Sequence, residues 1–131
     1  MPTISKTLLA AGAILLCLAA PLAAQEQPES PATPYDADLQ RLAEILGGLQ
    51  YLRTVCKANE GQKWREQMQA LIEAEAQTAD RRNRMVANYN RGYRSFQQTY
   101  RACTPAANVA VRRYLDEGSK ISREITARYT N

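Results

Sequence analysis

Glu75 and Arg82 are the two charged residues on an otherwise apolar or aromatic stripe. The stripe runs Trp64, Met68, Leu71, Glu75, Ala79, Arg82, Val86, Tyr89, Tyr93, Phe96, Tyr100. Steps of three and four residues put side chains on one face of a helix. A carboxylate and a guanidinium on such a face have three readings. They form a polar patch in a groove that receives a partner, or a half-buried ion pair that fixes helix register, or they mark a turn where the stripe opens to water. A second group is the Arg interleaved with Tyr: Arg82, Arg84, Tyr89, Arg91, Tyr93, Arg94, Tyr100, Arg101, Arg112, Arg113 and Tyr114. Tyr and Arg are enriched where partners bind tightly, and they equally suit the wet edge of a small helical core. The candidate binding surface is Glu75, Arg82, Arg91, Tyr93 and Arg94.

Catalytic chemistry has little to work with. The chain has no histidine, so the usual general base near neutral pH is missing. No phosphate-cradling loop and no nucleophile-elbow serine is present. Glu73 and Glu75 are paired in sequence, but residues two apart on a helix do not face each other. The expectation is therefore no catalytic residue, no cofactor and no metal site. A cell-wall enzyme acting through Glu73 or Glu75 is the rival reading, and a purely structural envelope protein is a third.

The chain opens like an exported protein. Met1–Thr7 carries one positive charge, Lys6, Leu8–Ala20 is almost wholly apolar, and Pro21–Ala24 ends in small residues. That is the order of a secretory signal peptide cleaved after Ala24. Two alternatives stand beside it. The apolar stretch kept as an anchor would be shorter than the roughly 20 residues that span a bilayer. A lipidated Cys17 would follow Leu16 rather than a small residue. Residues 1–24 thus read as a signal peptide, 25–35 as a flexible leader carrying Pro28, Pro31 and Pro34, and 36–131 as the domain. The expected location is the periplasm, with no membrane span left after cleavage.

Cleavage removes Cys17 and leaves Cys56 and Cys103 in an oxidising compartment. An even pair in a small exported domain reads as one disulfide. Closing that loop is worth ~4 kcal/mol in the chain-entropy account. The cleaved chain has a net charge of +3, and 13 of its 16 basic residues are Arg. Arg forks suit carboxylates and phosphates. In an envelope these belong to acidic proteins, peptidoglycan or lipid headgroups, and nucleic acid is not an expected partner of an exported chain.

These groups must be positioned by helices. Asp36–Lys57 carries Leu39, Leu42, Ile45, Leu46, Leu49, Leu52 and Val55 at helical spacing, with Asp36 or Asp38 to cap its start. Gly47-Gly48 in its middle costs about 1 kcal/mol each in helix propensity, and close packing against a neighbouring helix is the favoured explanation over a hinge or a ligand approach. A turn around Gly61 leads to a second helix near Lys63. Continued unbroken to Tyr100, that helix would span ~55 Å. Cys56 and Cys103 would then lie far beyond the roughly 7 Å their Cα atoms need. We therefore expect a break near Gln77–Asp80, where Thr78 and Asp80 suit a new cap. The alternative is one continuous helix with intermolecular bridges or free thiols. Arg81, Arg82 and Arg84 crowd the first turn of the third helix against its dipole, so they should pair with Glu73, Glu75 or Asp80. The third helix should end near Ala102. Thr104-Pro105 starts a last helix to about Tyr129. The fold class is all-α, a small up-and-down bundle of about four helices with one disulfide, preceded by a signal peptide.

Three stretches, Leu46–Arg65 (LGGLQYLRTVCKANEGQKWR), Tyr89–Tyr93 (YNRGY) and Tyr100–Ala106 (YRACTPA), resemble a family of small secreted proteins of alphaproteobacteria, mostly Rhizobiales, whose activity is uncharacterised. The resemblance covers nearly all of the cleaved chain. It implies a signal peptide and two family cysteines at Cys56 and Cys103, and it brings no activity, substrate or cofactor. The resulting expectation is a periplasmic binding or adaptor protein of the cell envelope.

Overall fold

The computed structural model describes residues 31–129, so the proposed signal peptide and the leader up to Ser30 lie outside the described residues. Four helices follow one another: α1 (Asp36–Val55), α2 (Lys63–Glu75), α3 (Ala79–Thr99) and α4 (Pro105–Tyr129). The break in the long stripe falls at 76–78. There Thr78 takes extended backbone and its hydroxyl accepts from the Arg81 backbone N–H. Thr104 does the same for α4 by accepting from the Ala107 N–H at 3.1 Å. The chain therefore doubles back, and Cys56 and Cys103 meet in a disulfide with their Cα atoms 4.6 Å apart.

The topology is up-down-up-down, and α1 is its hub. Asp36 meets Arg81, Glu44 meets Arg91 and Cys56 meets Cys103, so α1 and α3 run parallel. They are in backbone contact. A Cβ added to Gly47 would stand 1.9 Å from the Tyr89 carbonyl oxygen, and one added to Gly92 would stand 2.0 Å from that of Glu44. The glycines in α1 and α3 thus serve close approach. α4 returns antiparallel along another side of α1, held by Arg41, whose Nε and Nη2 donate to Glu117 at 2.6 and 2.9 Å. α2 covers a third side.

The core lies on two sides of α1. Ala43 and Leu46 pack with Met68, Ile72, Ala76 and Met85 towards α2 and α3. Ile45, Leu49 and Leu52 pack with Ala107, Val111 and Ile121 towards α4. Every residue from Ile45 to Gln50 is buried. A helix apolar on most of its circumference has to be surrounded in this way.

Several local expectations need correction. Neither Asp36 nor Asp38 caps α1: Tyr35 holds the cap position without a side-chain bond. Asp36 instead accepts from the Thr33 backbone N–H and hydroxyl and pairs with Arg81. The end of the leader is consequently fastened, with the Tyr35 ring 4.8 Å from that of Tyr129. α1 ends at Val55, before Lys57, which takes a left-handed φ of 54°. α3 ends at Thr99, with Tyr100 and Ala102 beyond it. The buried side of α3 is Met85, Asn88 and Gly92, and Val86 is exposed. Just past the break the stripe is out of phase at Arg82 and Val86, while Tyr89, Phe96 and Tyr100 further on pack against the core as expected.

Candidate functional site

The five residues expected to form a surface fall into two places. Glu75 closes α2 and Arg82 opens the exposed side of α3, on either side of the turn at 76–78. They make no ion pair with each other, and that half of the stripe opens to water, as the third reading of the pair requires. It is Arg81, one residue earlier, that turns inward to Asp36, with side chains only 13% and 14% exposed. Arg84 pairs with Asp80, as expected, while Glu73 accepts from Gln69 on the outer side of α2.

Arg91 and Arg94 share a shallow recess with Ala87, Ser95 and Gln98 on the outside of α3. Arg91 is exposed, and its Nη2 donates to Glu44 of α1 at 3.0 Å and to Asn88 of α3 at 2.6 Å. Tyr93 lies edge-on to Tyr51 at 5.3 Å. Much of this surface thus fastens α3 to α1. The Tyr89 hydroxyl is buried without a hydrogen-bond partner among the described residues, and burial pushes its pKa up.

A different place has the geometry of a seat. No Cα of α2 comes within 8 Å of one in α4, so the two helices leave a cleft over α1. The result is a groove of about 390 Å³, within the range of about 300–1,000 Å³ typical of small-molecule sites. Its floor is Leu42, Ile45, Leu46 and Leu49 of α1. Trp64 and Gln67 form one wall, Tyr114, Leu115 and Gly118 the other, and Ser119, Ser122 and Arg123 the α4 rim.

The Trp64 wall is built by contacts that periodicity does not reveal. Gln50 of α1 accepts the Arg65 backbone N–H at 3.1 Å, serving as a tertiary cap for α2. Arg53 grips Glu60 through Nε at 2.9 Å and Nη2 at 2.6 Å, and Glu60 in turn accepts the Trp64 indole N–H at 2.7 Å. The bonds from Arg53 foremost, against some desolvation and with help from Trp64, hold the Glu60 carboxyl at a pKa of about 2. Lys63 lies 4.9 Å above the same indole. The opposite wall is set by Arg41, 5.2 Å from the Tyr114 ring centre and bonded to Glu117. That bond chiefly lowers the pKa of Glu117.

Among the described residues no group of three His, Cys, Asp or Glu comes together to hold a metal ion. No described helix is long and apolar enough to cross a membrane. Sequence reasoning missed the groove, although the breadth of the α1 stripe was its available signal. No match to the chain is found among curated proteins or among solved structures. The family described as "Protein of unknown function (DUF2385)" matches residues 34–129, and the chain belongs to that family.

Proposed function

We propose that the chain is a non-catalytic binding protein of the cell envelope, exported to the periplasm, and that its ligand seats in the groove between α2 and α4. One observation carries the reading: a groove of about 390 Å³ opens between two braced walls, over aliphatic side chains of the core helix itself. An apolar cleft with a few polar groups at its rim is the usual form of a ligand site. Export is supported by the apolar start of the chain and by the Cys56–Cys103 bridge, which suits an oxidising compartment. The resemblance to secreted alphaproteobacterial proteins points the same way. The Arg-rich surface favours anionic surroundings, peptidoglycan or lipid headgroups, over a neutral one.

The test uses the exported protein and the uncharged dye Nile red. Energy transfer from Trp64, the only tryptophan, should appear on binding and disappear in Ser119→Phe, which fills the groove from its exposed rim. Dye binding that is absent, or indifferent to Ser119→Phe, would remove the groove as a seat. Incubation with peptidoglycan fragments should yield no new products; cleavage products lost on Glu73→Gln or Glu75→Gln would replace this reading with the enzymatic one.

A further inference from the structure

The groove does not treat all apolar ligands alike. Of the side chains that line it, Arg123 is the one that carries a formal charge, and no carboxylate lines it. None of the ion pairs among the described residues uses Arg123. It is exposed at the rim, one turn beyond Ser119 on the same side of α4. The floor beneath is a strip of aliphatic side chains from Leu42 to Leu49, about 10 Å along α1. It ends towards the Trp64 indole.

Resting on the reading of the groove as a seat, we propose that its occupant is a single-chain aliphatic carboxylate, a fatty acid. The chain lies along the α1 strip and the carboxylate meets Arg123. The volume of about 390 Å³ suits one alkyl chain. A planar carboxylate matches the guanidinium fork, which offers two parallel donors in one plane. An acidic headgroup meets complementary charge at the rim, whereas a cationic one meets like charge, and an uncharged one leaves Arg123 to water.

The experiment holds the tail constant and varies the head. Dodecanoate, dodecanol and dodecyltrimethylammonium are titrated below their aggregation concentrations into the full exported protein, read by Trp64 emission and by calorimetry. Dodecanoate should bind about tenfold more tightly than dodecanol, and the ammonium more weakly than either. Arg123→Ala should bring dodecanoate down to the level of dodecanol, and Arg123→Lys should restore part of the difference. Ser119→Phe should weaken all three. Equal affinities for acid and alcohol, or indifference to Arg123→Ala, would overturn the carboxylate assignment while leaving the groove as a seat. Failure of all three tails to bind would remove the seat itself. A dimer in sedimentation that Ser119→Phe dissociates would assign the groove to a second copy of the chain and overturn the proposal.

Discussion

Replacing Gly92 by alanine should be among the most damaging small changes this domain can suffer. The added methyl would stand 2.0 Å from the Glu44 carbonyl oxygen and 3.1 Å from the Gly48 nitrogen. Ordinary contact needs roughly 3.5 Å, so α1 and α3 must separate by about 1.5 Å at their crossing. The obstacle is backbone on both sides, and no rotamer relieves it. Separation also loosens Met85, Tyr89 and Phe96 against α1. Overpacking of this kind typically costs about 1–3 kcal/mol, at times more. The helix-propensity gain of alanine over glycine returns about 1 kcal/mol. The net expectation is a loss of up to about 2 kcal/mol, or up to about 8–16 °C in Tm for a domain of this size. Gly118→Ala is the internal control, because its methyl would meet only side-chain carbons, Ile45 Cγ2 at 3.3 Å and Leu42 Cδ1 at 3.7 Å. That change should alter stability by less than about 1 kcal/mol. Urea unfolding of the oxidised protein, followed by Trp64 emission and circular dichroism, reads both. A Gly92→Ala protein as stable as the parent, or a Gly118→Ala protein that loses more, would refute the backbone-contact argument.

Acid should destabilise the protein partly through Glu60. Its folded pKa of about 2 lies below its ordinary value of 4.5, so its contribution is fully present above about pH 4.5 and is lost as pH falls towards about 2. Glu60→Gln should flatten that stretch of a plot of urea midpoint against pH, and an unchanged slope would count against the Arg53–Glu60–Trp64 bracket. Reducing the Cys56–Cys103 bridge, which spans 47 residues, should lower stability by ~4 kcal/mol, measured by denaturation with and without reductant. Asp36→Ala leaves the inward-facing Arg81 guanidinium, whose Nε has no partner among the described residues, with the Thr33 hydroxyl but no counter-charge, and should cost about 1–3 kcal/mol. Asp80→Ala breaks the exposed pair with Arg84 and should cost under about 1 kcal/mol. The two losses, compared in one denaturation series, should differ in that order.

Much of the architecture was legible because two facts of different kind constrain each other. The stripe from Trp64 to Tyr100 is locally compatible with one rod, and only the reach of a disulfide forbids it. Thr78 then supplies the cap that the fold uses. The phase of the first turns of α3 was not legible, although Tyr89, Phe96 and Tyr100 do pack inward. The residues at 76–78 are not helical, so counting threes and fours across them carries the stripe onto Val86 and Arg82 instead of Met85 and Arg81. Tertiary caps escaped for a related reason. Gln50 belongs to α1 by periodicity, and nothing local marks its carbonyl as the acceptor for Arg65. The same holds for Arg41 and Glu117, 76 residues apart.

Charge and aromatic rings stand out in a sequence, whereas an apolar groove between helices does not. Arg91 and Tyr93, two of the expected binding residues, also join α3 to α1 through Glu44 and Tyr51. The clue to the groove was the width of the α1 stripe. Leu42, Ile45, Leu46 and Leu49 cover more of a helix than one neighbour can bury. Close contact at Gly47 and Gly92 brings α3 against one side, while α2 and α4 flank α1 without meeting. The same glycines that let two backbones touch therefore coexist with a groove between other helices elsewhere on α1. This makes the stability and binding experiments separable. Gly92→Ala perturbs the crossing with α3, whereas Ser119→Phe and Arg123→Ala act at the groove rim. Loss of ligand with an unchanged urea midpoint in the rim variants would locate binding in the groove rather than in the integrity of the fold.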